Sequence, residues 1–215
     1  MVIMPFEKQY VSNVYNKIAT HFDETRYSCW HCVRMFLDKI PSYSLVADFG
    51  CGNMKYRQYR KDLSWIGMDN CENLLQIVHE KHNDTQLIHA NCINSPLRNN
   101  SMDAIISIAV LHHIKSQADR LKFIQCIIDA LNCNGRALIT VWAFEQKQKQ
   151  KWRNLGNHDF LIPWTNKTGE TLFRYYHLYR KDEIAEMFAI FEDQVWVENI
   201  MFELDNWCIT IMKNK

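Results

Sequence analysis

The sequence predicts an α/β fold whose mostly parallel sheet carries helices on both faces. Short apolar runs alternate with segments of helical periodicity along the 215 residues, and this rhythm is typical of a doubly wound sheet. The apolar run that begins at Leu45 reaches Asp48 and then two glycines one residue apart, as in a strand that leads into a ligand-binding loop. Two adjacent apolar runs, 194–202 and 206–212, predict an antiparallel hairpin at the end of the sheet.

The other elements are predicted from apolar spacing, in chain order. Two helices, at 6–20 and 29–40, precede the first strand and are expected to form a lid over 1–43. Further strands are predicted at 65–69, 86–91, 102–109 and 137–142. Helices are predicted at 72–82 and 116–132, and a last helix ends at about residue 191. With the hairpin this gives seven strands in a single domain over 1–215. Residues 144–180 break the rhythm and are expected to form an insertion on the substrate side of the sheet.

Composition narrows the class of protein. Hydrophobic residues make up 47% of the chain and the net charge is +1, so one packed core is expected and no overall field attracts nucleic acid. No apolar run is long enough to span a bilayer, and the first residues lack the layout of a signal peptide, so we expect no membrane association. The eight cysteines then indicate reduced thiols in a cytoplasmic, or also nuclear, protein.

The segment Cys29-Trp30-His31-Cys32 has the spacing of half a zinc site. No second Cys-x-x-Cys and no histidine pair accompanies it, and Trp30 has the character of a residue that packs inside a helix. We therefore expect no metal site in this chain.

The glycine loop is the main sign of a ligand site. Gly50 and Gly52 allow positive φ and lack the Cβ that would keep a ligand from the backbone. Asp69 follows Asp48 by about 20 residues, at the tip of the second strand, where a ribose diol is held in such folds. The loop has no third glycine for a pyrophosphate, so an adenosyl group such as that of S-adenosylmethionine is expected. A plain strand-to-helix turn, with Asp69 as a helix cap, is the alternative.

The glycine loop, Asp69, the strand at Asp103 and the final hairpin together resemble a class I S-adenosylmethionine-dependent methyltransferase. Other segments resemble one branch of it, the eukaryotic tRNA methyltransferases that esterify the 5-carboxymethyl group of wobble uridine. They are His21-Phe22-x-x-Thr25-Arg26, the run 106–113, Trp142-Ala143-Phe144-Glu145-Gln146, Phe160-x-x-Pro163-Trp164, Tyr175-Tyr176-His177-Leu178-Tyr179-Arg180 and Asp205-Asn206-Trp207. The resemblance covers nearly the whole chain and implies a Rossmann-like fold, S-adenosylmethionine as cofactor and tRNA as substrate.

The resemblance also implies which residues hold the cofactor. They lie at or just after the ends of the predicted strands: Asp48, Gly50, Cys51, Gly52, Asp69, Asn70, Asn91 and Ala109. Two positions depart from the family pattern, which has a glycine where Met54 stands and an acid where Asn91 stands. We expect Met54 to place its side chain beside the methionine part of the cofactor. Asn91 is expected to bond the adenine amine without adding charge.

The reaction that the resemblance implies sets requirements on the acceptor side. A carboxylate is already an ionised nucleophile, so it needs orientation and exclusion of water rather than a general base. An arginine can orient it, and Arg26 and Arg180 are the two candidates, each with a structural salt bridge as the alternative. His113 is expected to contact the substrate and Asn206 to read the base edge. These four form the expected catalytic set.

Aromatic and basic residues are expected to hold the RNA. Trp142 and Trp207 are expected to stack on the uracil, although an aromatic at a strand end is often part of the core. The remaining expected substrate contacts are His177, Lys147, Lys149 and Lys151, the lysines as phosphate contacts. A basic run is otherwise a solvated face of the protein.

The third strand, predicted at 86–91, would lie at the edge of the sheet in the methyltransferase strand order. An unpaired edge promotes aggregation unless something covers it. The family resemblance implies a small zinc-binding activator protein that docks there by strand addition and forms a heterodimer with the enzyme. We therefore expect the chain to be poorly soluble or inactive when it is expressed alone.

Two other functions remain open from the sequence. The chain would have the same cofactor half if it methylated a small-molecule carboxylate or amine, but such a substrate would not require the basic and aromatic residues of 144–180. The departures at Met54 and Asn91 also allow a degenerate cofactor-binding scaffold without activity.

Overall fold

The computed structural model describes residues 6–147, 150–166 and 169–215. Its strands are β1 (Leu45–Phe49), β2 (Ser64–Asp69), β3 (Gln86–His89), β4 (Met102–Ile108), β5 (Leu131–Trp142), β6 (Arg153–Gly156), β7 (Asp159–Thr165), β8 (Thr171–His177), β9 (Val195–Glu203) and β10 (Asn206–Lys213). Its α-helices are α1 (Asn13–Thr25), α2 (His31–Leu37), α3 (Glu72–Lys81), α4 (Gln117–Ala130) and α5 (Lys181–Ala189). None of the described helices combines the length and the apolar character needed to cross a membrane.

Seven strands form one sheet in the order β3-β2-β1-β4-β5-β10-β9. The first five pair in parallel, and β10 runs antiparallel to both β5 and β9. The predicted fold class, with its final hairpin, is confirmed; β3 ends two residues earlier than predicted, and β5 begins earlier, at Leu131. The strand order reverses between β1 and β4. In open α/β sheets, ligands bind at such a switch point, beyond the carboxyl ends of the strands.

The two faces of the sheet pack against different helices. Along β1, Ala47 and Phe49 point into the core that contains α4 and α5, whereas Val46 points into the core that contains α2 and α3. A strand that is buried on both faces needs apolar side chains at nearly every position. This is why β1 and β4 read as continuous apolar runs in the sequence.

Residues 144–180 contain a second sheet that the sequence pattern did not reveal. Strands β6, β7 and β8 pair antiparallel in that order. Pro163 lies inside β7, and a proline in an apolar run argues against a strand. The side chains of Phe160, Ile162, Tyr176 and Leu178 form a small core of their own in this region.

A glutamate from the far hairpin closes the N-terminus of α2. The Glu203 carboxylate accepts hydrogen bonds from the backbone N–H groups of His31 (3.1 Å) and Cys32 (2.7 Å). Trp30, at the N-cap position, makes no side-chain cap. Glu203 therefore supplies the acceptor oxygens that an N-cap Ser or Asp usually provides. The contact fixes α2 to the end of β9.

Candidate active site

A cavity of about 430 Å³ lies at the carboxyl ends of β1, β2 and β4. It is bounded by the glycine loop on one side and by α1 with the α1–α2 connector on the other. The predicted cofactor residues line it together: Asp48, Gly50, Cys51, Gly52, Asp69, Asn70, Asn91 and Ala109. The other wall is formed by acceptor-side residues, namely Tyr15, Arg26, His113, Trp142, Arg174 and Tyr176.

The glycine loop brings the backbone to the cavity because side chains are excluded there. Gly50 has φ +73°, and a Cβ added to it would lie 2.3 Å from Val110. Gly52 has φ +53°, and its N–H donates a 2.8 Å hydrogen bond to Asp69 Oδ2. The other Asp69 oxygen accepts from Cys71 N–H at 2.8 Å. Asp69 therefore fixes the loop and begins α3, while it also faces the cavity.

Asn91 and Asn70, which follow β3 and β2, lie on the same wall. Asn91 Oδ1 accepts a hydrogen bond from Ile93 N–H at 3.0 Å, so the short side chain caps the turn that follows β3 and keeps a fixed position. Asn70 Nδ2 donates to Ser12 Oγ at 3.1 Å, which connects the end of β2 to the helical segment before α1. Polar groups of two strand ends are thus held in place along one side of the cavity.

Asp48 is the buried carboxyl group of the cofactor wall. It is 2% exposed, and its Oδ2 has no hydrogen-bond partner among the described residues. Burial, together with the neighbouring Asp69, raises the pKa of Asp48 to about 8, although Lys55 opposes the shift. A buried carboxyl oxygen without a donor is a suitable partner for a cationic group. With the backbone approach at Gly50 and Gly52, this fits the charged amino acid part of S-adenosylmethionine.

Met54 does not occupy the place that the sequence suggested. Its side chain is fully buried in the core that contains Trp65 and Leu75, and it is absent from the cavity wall. What the missing glycine changes is the backbone, because Met54 has φ +53°, a conformation that costs a non-glycine residue about 1 kcal/mol. The departure therefore bears on stability rather than on space for the cofactor.

A hydrogen-bonded chain begins at His113 on the acceptor wall. The Nδ1 of His113 lies 2.7 Å from the Tyr175 carbonyl, which can only accept, so this nitrogen carries the proton. Burial lowers the pKa of His113 to about 3, so the ring is neutral and Nε2 accepts. The Tyr15 hydroxyl donates to that Nε2 at 2.9 Å. The hydroxyl oxygen is then left to accept from Arg174 Nη1 at 3.3 Å.

Arg174 is the residue that the sequence prediction missed. It is 6% exposed, lines the cavity, and has no acidic ion-pair partner among the described residues. Its guanidinium carbon lies 4.7 Å from the ring centre of Trp164, 5.1 Å from that of Tyr176 and 5.8 Å from that of Tyr15. A buried cation without a counter-ion is costly. The geometry therefore provides a place for an anion on the acceptor side of the cavity.

Arg26, one of the two predicted arginines, lies at the edge of the same place. Its guanidinium carbon lies 5.4 Å from the Trp164 ring centre and 5.7 Å from that of Phe22. It is half-buried and lines the cavity. Arg26 and Arg174 thus both lie against Trp164, so two cations face one acceptor region.

Arg180, the other predicted arginine, lies elsewhere. It is exposed, precedes α5, and packs its guanidinium carbon 4.7 Å from the Phe144 ring centre. It lines a separate shallow cleft with His158 and Glu183. Because β8 ends at His177, the chain has already left the cavity when it reaches Arg180.

His177 also faces away from the cavity. Residues of a strand alternate between faces, so Arg174 points toward the cavity and His177 points behind β8. There its ring is held between Asp159 (2.7 Å) and Glu183 (2.6 Å). Burial alone would lower the pKa of His177, but the two carboxylates raise it. His177 therefore takes part in a buried ion-pair network that also includes Arg120.

Two groups of described side chains have the spacing of metal ligands: Cys32, Glu203 and Cys208, and His158, His177 and Glu183. In the first group the glutamate already caps α2. In the second group, both nitrogens of His177 are bonded to carboxylates. Glu203 of the first group and His177 of the second are therefore already engaged by other protein groups.

The predicted substrate contacts on β5 and β10 also lie in different places. Trp142 lines the cavity, with its ring centre 4.4 Å from that of Tyr176. Asn206 is buried beside Trp142 and donates to the Leu204 carbonyl at 2.6 Å. Trp207 donates to Glu145 Oε2 at 3.0 Å. The structure thus brings Trp142 to the cavity but not Asn206 or Trp207, because successive residues of β10 pair with β5 rather than extend beyond it.

The basic run lies next to the insertion sheet. Lys147 and Lys151 are exposed, and Arg153 places its guanidinium carbon 3.8 Å from the Phe173 ring centre. Lys149 lies outside the described residues. The described lysines are therefore available to solvent and do not line the cavity.

Comparison with known proteins gives a consistent result. The methyltransferase domain family matches residues 47–139, which include the glycine loop and the end of β4. A Schizosaccharomyces pombe tRNA (carboxymethyluridine(34)-5-O)-methyltransferase is 34% identical over 97% of this chain and 98% of its own. A mouse protein of the same name is 43% identical over 69% of this chain, which spans 22% of the mouse protein.

Solved structures with little sequence identity share the fold. A Clostridium acetobutylicum S-adenosylmethionine-dependent methyltransferase superposes with a TM-score of 0.72 at 12% identity, over 94% of this chain and all of that one. A chain from the complex of the Haloferax volcanii Trm112 methyltransferase activator with a methyltransferase gives 0.69 at 12% identity, over 96% of this chain and 99% of that one.

The raised pKa of Asp48 predicts how stability depends on pH. In the folded protein this carboxyl keeps its proton up to about pH 8, whereas in the unfolded chain it releases the proton above its ordinary pKa of 3.8. The resulting stability is complete below the unfolded pKa and is lost as the pH rises through about 8. Asp48→Asn stays neutral, so its free energy of unfolding should gain on that of the wild type between about pH 4 and about pH 8.

Urea unfolding of both proteins at several pH values measures this gain, with the exposed Asp193→Asn as the control. The same Asp48 variant should bind S-adenosylhomocysteine at least about tenfold more weakly, because asparagine has no proton to release and cannot form a charge-assisted bond with the ammonium group of the ligand. A stability difference that does not change with pH would contradict the burial of an ionisable group at this site.

Proposed function

Because this chain belongs to the tRNA (carboxymethyluridine(34)-5-O)-methyltransferase family, we propose that it methylates the carboxylate of 5-carboxymethyluridine at the wobble position of tRNA. The observation that carries the proposal is Arg174, a buried cation that faces the cavity without an acidic partner among the described residues. The acceptor carboxylate would supply that partner. Similarity to the fission yeast enzyme over 97% of the chain favours this acceptor over a small-molecule carboxylate or amine.

Some cavity residues orient the acceptor carboxylate, and others keep water away from it. Arg174 offers the acceptor a planar fork of N–H donors whose direction is fixed by the surrounding rings. Arg26, at the edge of the site, gives a second and weaker attraction. A carboxylate that is held by a single buried fork keeps a lone pair free for attack, whereas a tight pair of clamps would blunt it.

S-adenosylmethionine, when bound, supplies an electrophilic methyl group whose bond to sulfur breaks as the bond to the carboxylate oxygen forms. The residues that would hold it are those at the ends of β1 and β2, with Asp48 and Asp69 as the acidic groups. Trp142, Tyr176 and Trp164 keep the acceptor region apolar. Removal of water helps because the opposite charges of the two reactants cancel as they react.

His113 has a positioning role in this scheme. An ionised carboxylate has no proton to lose, and a ring whose pKa is about 3 carries no charge at neutral pH. Both ring nitrogens are bonded within the protein. His113 therefore holds the Tyr15 hydroxyl, which in turn accepts from Arg174.

Transfer of labelled methyl from S-adenosylmethionine tests the function directly. The acceptor is tRNA from cells that lack this gene, and the chain is supplied with and without the zinc-binding activator. We expect the label in a base-labile ester on the wobble uridine. Cofactor binding without any label in tRNA would contradict the proposal and direct attention to small carboxylates.

The two arginines give the most specific variant test. Arg174→Ala should lower kcat/KM for tRNA about 100-fold, because the loss of a buried charge-assisted fork costs about 2–4 kcal/mol, while S-adenosylhomocysteine still binds. Arg174→Lys should rescue activity only in part, since it keeps the charge but loses the fork. Arg180→Ala, outside the cavity, is the matched control and should stay within about threefold of wild type. Equal losses for Arg174→Ala and Arg180→Ala would refute this assignment.

Strand β3 is the proposed docking edge for a small zinc-binding activator. It forms one end of the sheet, and Leu87 and Ile88 on it are only half-buried. The Haloferax volcanii methyltransferase with this fold is found in complex with an activator. Strand addition would pair the free backbone groups of β3 and cover the two apolar residues.

A proline distinguishes docking by the backbone from docking by side chains. Ala90 N–H bonds inward to the Asp69 carbonyl, so strand alternation points the N–H of His89 outward. His89→Pro removes that outward donor, which an edge strand tolerates, and should abolish co-purification with the activator. His89→Ala removes the same side chain and should retain the complex. Unchanged binding by the proline variant would rule out strand addition at β3.

A further inference from the structure

Tyr27 carries an unusually exposed ring in the connector that borders the mouth of the cavity. It is 83% exposed, and no ring contact to it occurs among the described residues. It lies in the connector between α1 and α2, and its neighbours Arg26 and Ser28 both line the cavity. Exposed aromatic rings beside a binding site serve as stacking platforms for bases in proteins that bind single-stranded nucleic acid.

The backbone that carries Tyr27 is fixed to the glycine loop. Asn53 Nδ2 donates to the Arg26 carbonyl at 2.8 Å and to Asp23 Oδ1 at 3.1 Å. Asp23 also forms an ion pair with Lys81 of α3. The connector is thus attached both to the cofactor loop and to the helix behind it. The backbone beside Tyr27 therefore has a defined position relative to the reaction site, and the ring extends from it into solvent.

Other strongly exposed aromatic residues lie away from this mouth. Tyr43 is 86% exposed but precedes β1, at the amino end of a strand whose carboxyl end meets the cavity. Trp196 and Phe202, at 65% and 47% exposed, belong to β9 at the far edge of the sheet. Tyr43 thus provides a natural control for the exposure of a tyrosine.

We propose that Tyr27 stacks on the nucleobase next to the uridine that is methylated. This inference rests on the proposed function. A uridine whose carboxymethyl group reaches Arg174 must leave the stack of the anticodon loop, so its neighbour loses a stacking partner. An aromatic ring on the connector beside the mouth replaces that partner, as in proteins that bind single-stranded RNA. The partner recognised is therefore an unstacked base rather than a phosphate.

Steady-state kinetics on an anticodon stem-loop that carries 5-carboxymethyluridine test the stacking, with the chain supplied together with the activator. Tyr27→Ala should raise KM for the stem-loop roughly 5- to 150-fold, the range for loss of one base–aromatic stack, with KM for S-adenosylmethionine unchanged. Tyr27→Phe keeps the ring and should behave as wild type. Tyr43→Ala removes an equally exposed tyrosine and should also behave as wild type.

A second substrate isolates the base itself. Two stem-loops are compared, with an abasic nucleotide on the 5′ side or on the 3′ side of the target. With the wild-type chain, one of the two should raise KM as much as Tyr27→Ala does on the intact stem-loop. On that abasic substrate, Tyr27→Ala should cause no further rise in KM. Fully additive losses on both sides, or a loss in Tyr27→Phe equal to that in Tyr27→Ala, would overturn the stacking role. A wild-type chain that leaves every tRNA substrate unmethylated would instead overturn the proposed function, and the stacking role with it.

Discussion

Removing a guanidinium from water costs several kcal/mol unless a counter-ion compensates it. Arg174 is such a buried guanidinium. Three rings and one hydroxyl surround the cation, but no acid among the described residues pairs with it. The arrangement is stable because cation–π contacts with Trp164, Tyr176 and Tyr15 recover part of the lost hydration. A carboxylate ligand would recover the rest of the lost hydration energy, as expected of a binding site for an anion.

The strand that carries Arg174 is supported from both of its faces. On the cavity side, neutral His113 and the Tyr15 hydroxyl fix one nitrogen of the guanidinium. Behind the strand, the Asp159–His177–Glu183 network connects β7, β8 and α5. Tyr175 links the two sides, because its backbone carbonyl accepts from His113 while its side-chain hydroxyl donates to Asp159. A short insertion sheet thereby holds one arginine firmly against the main domain.

Local sequence patterns were sufficient for the main sheet and for the cofactor wall. The glycine pair and Asp69 could be predicted because loop conformation and strand ends depend on nearby residues. Arg174 and Arg180 stand six residues apart in one aromatic segment, and nothing local distinguishes them. The choice depends on where β8 ends and on which face each residue takes, and both depend on pairing with β7. The period-two alternation of 174–177, with Arg174 and Tyr176 on one face, was the signal that could have found it.

The binding preference for an acid over an amide tests the central claim most directly. Stem-loops that carry 5-carboxymethyluridine or 5-carbamoylmethyluridine differ by one charge and have nearly the same shape. With S-adenosylhomocysteine present, the wild-type chain should bind the acid at least about tenfold more tightly, because only the acid pairs with a buried guanidinium. Arg174→Ala should bind the two alike. The same preference for the acid in both proteins would contradict the account, because the carboxylate would then be recognised elsewhere.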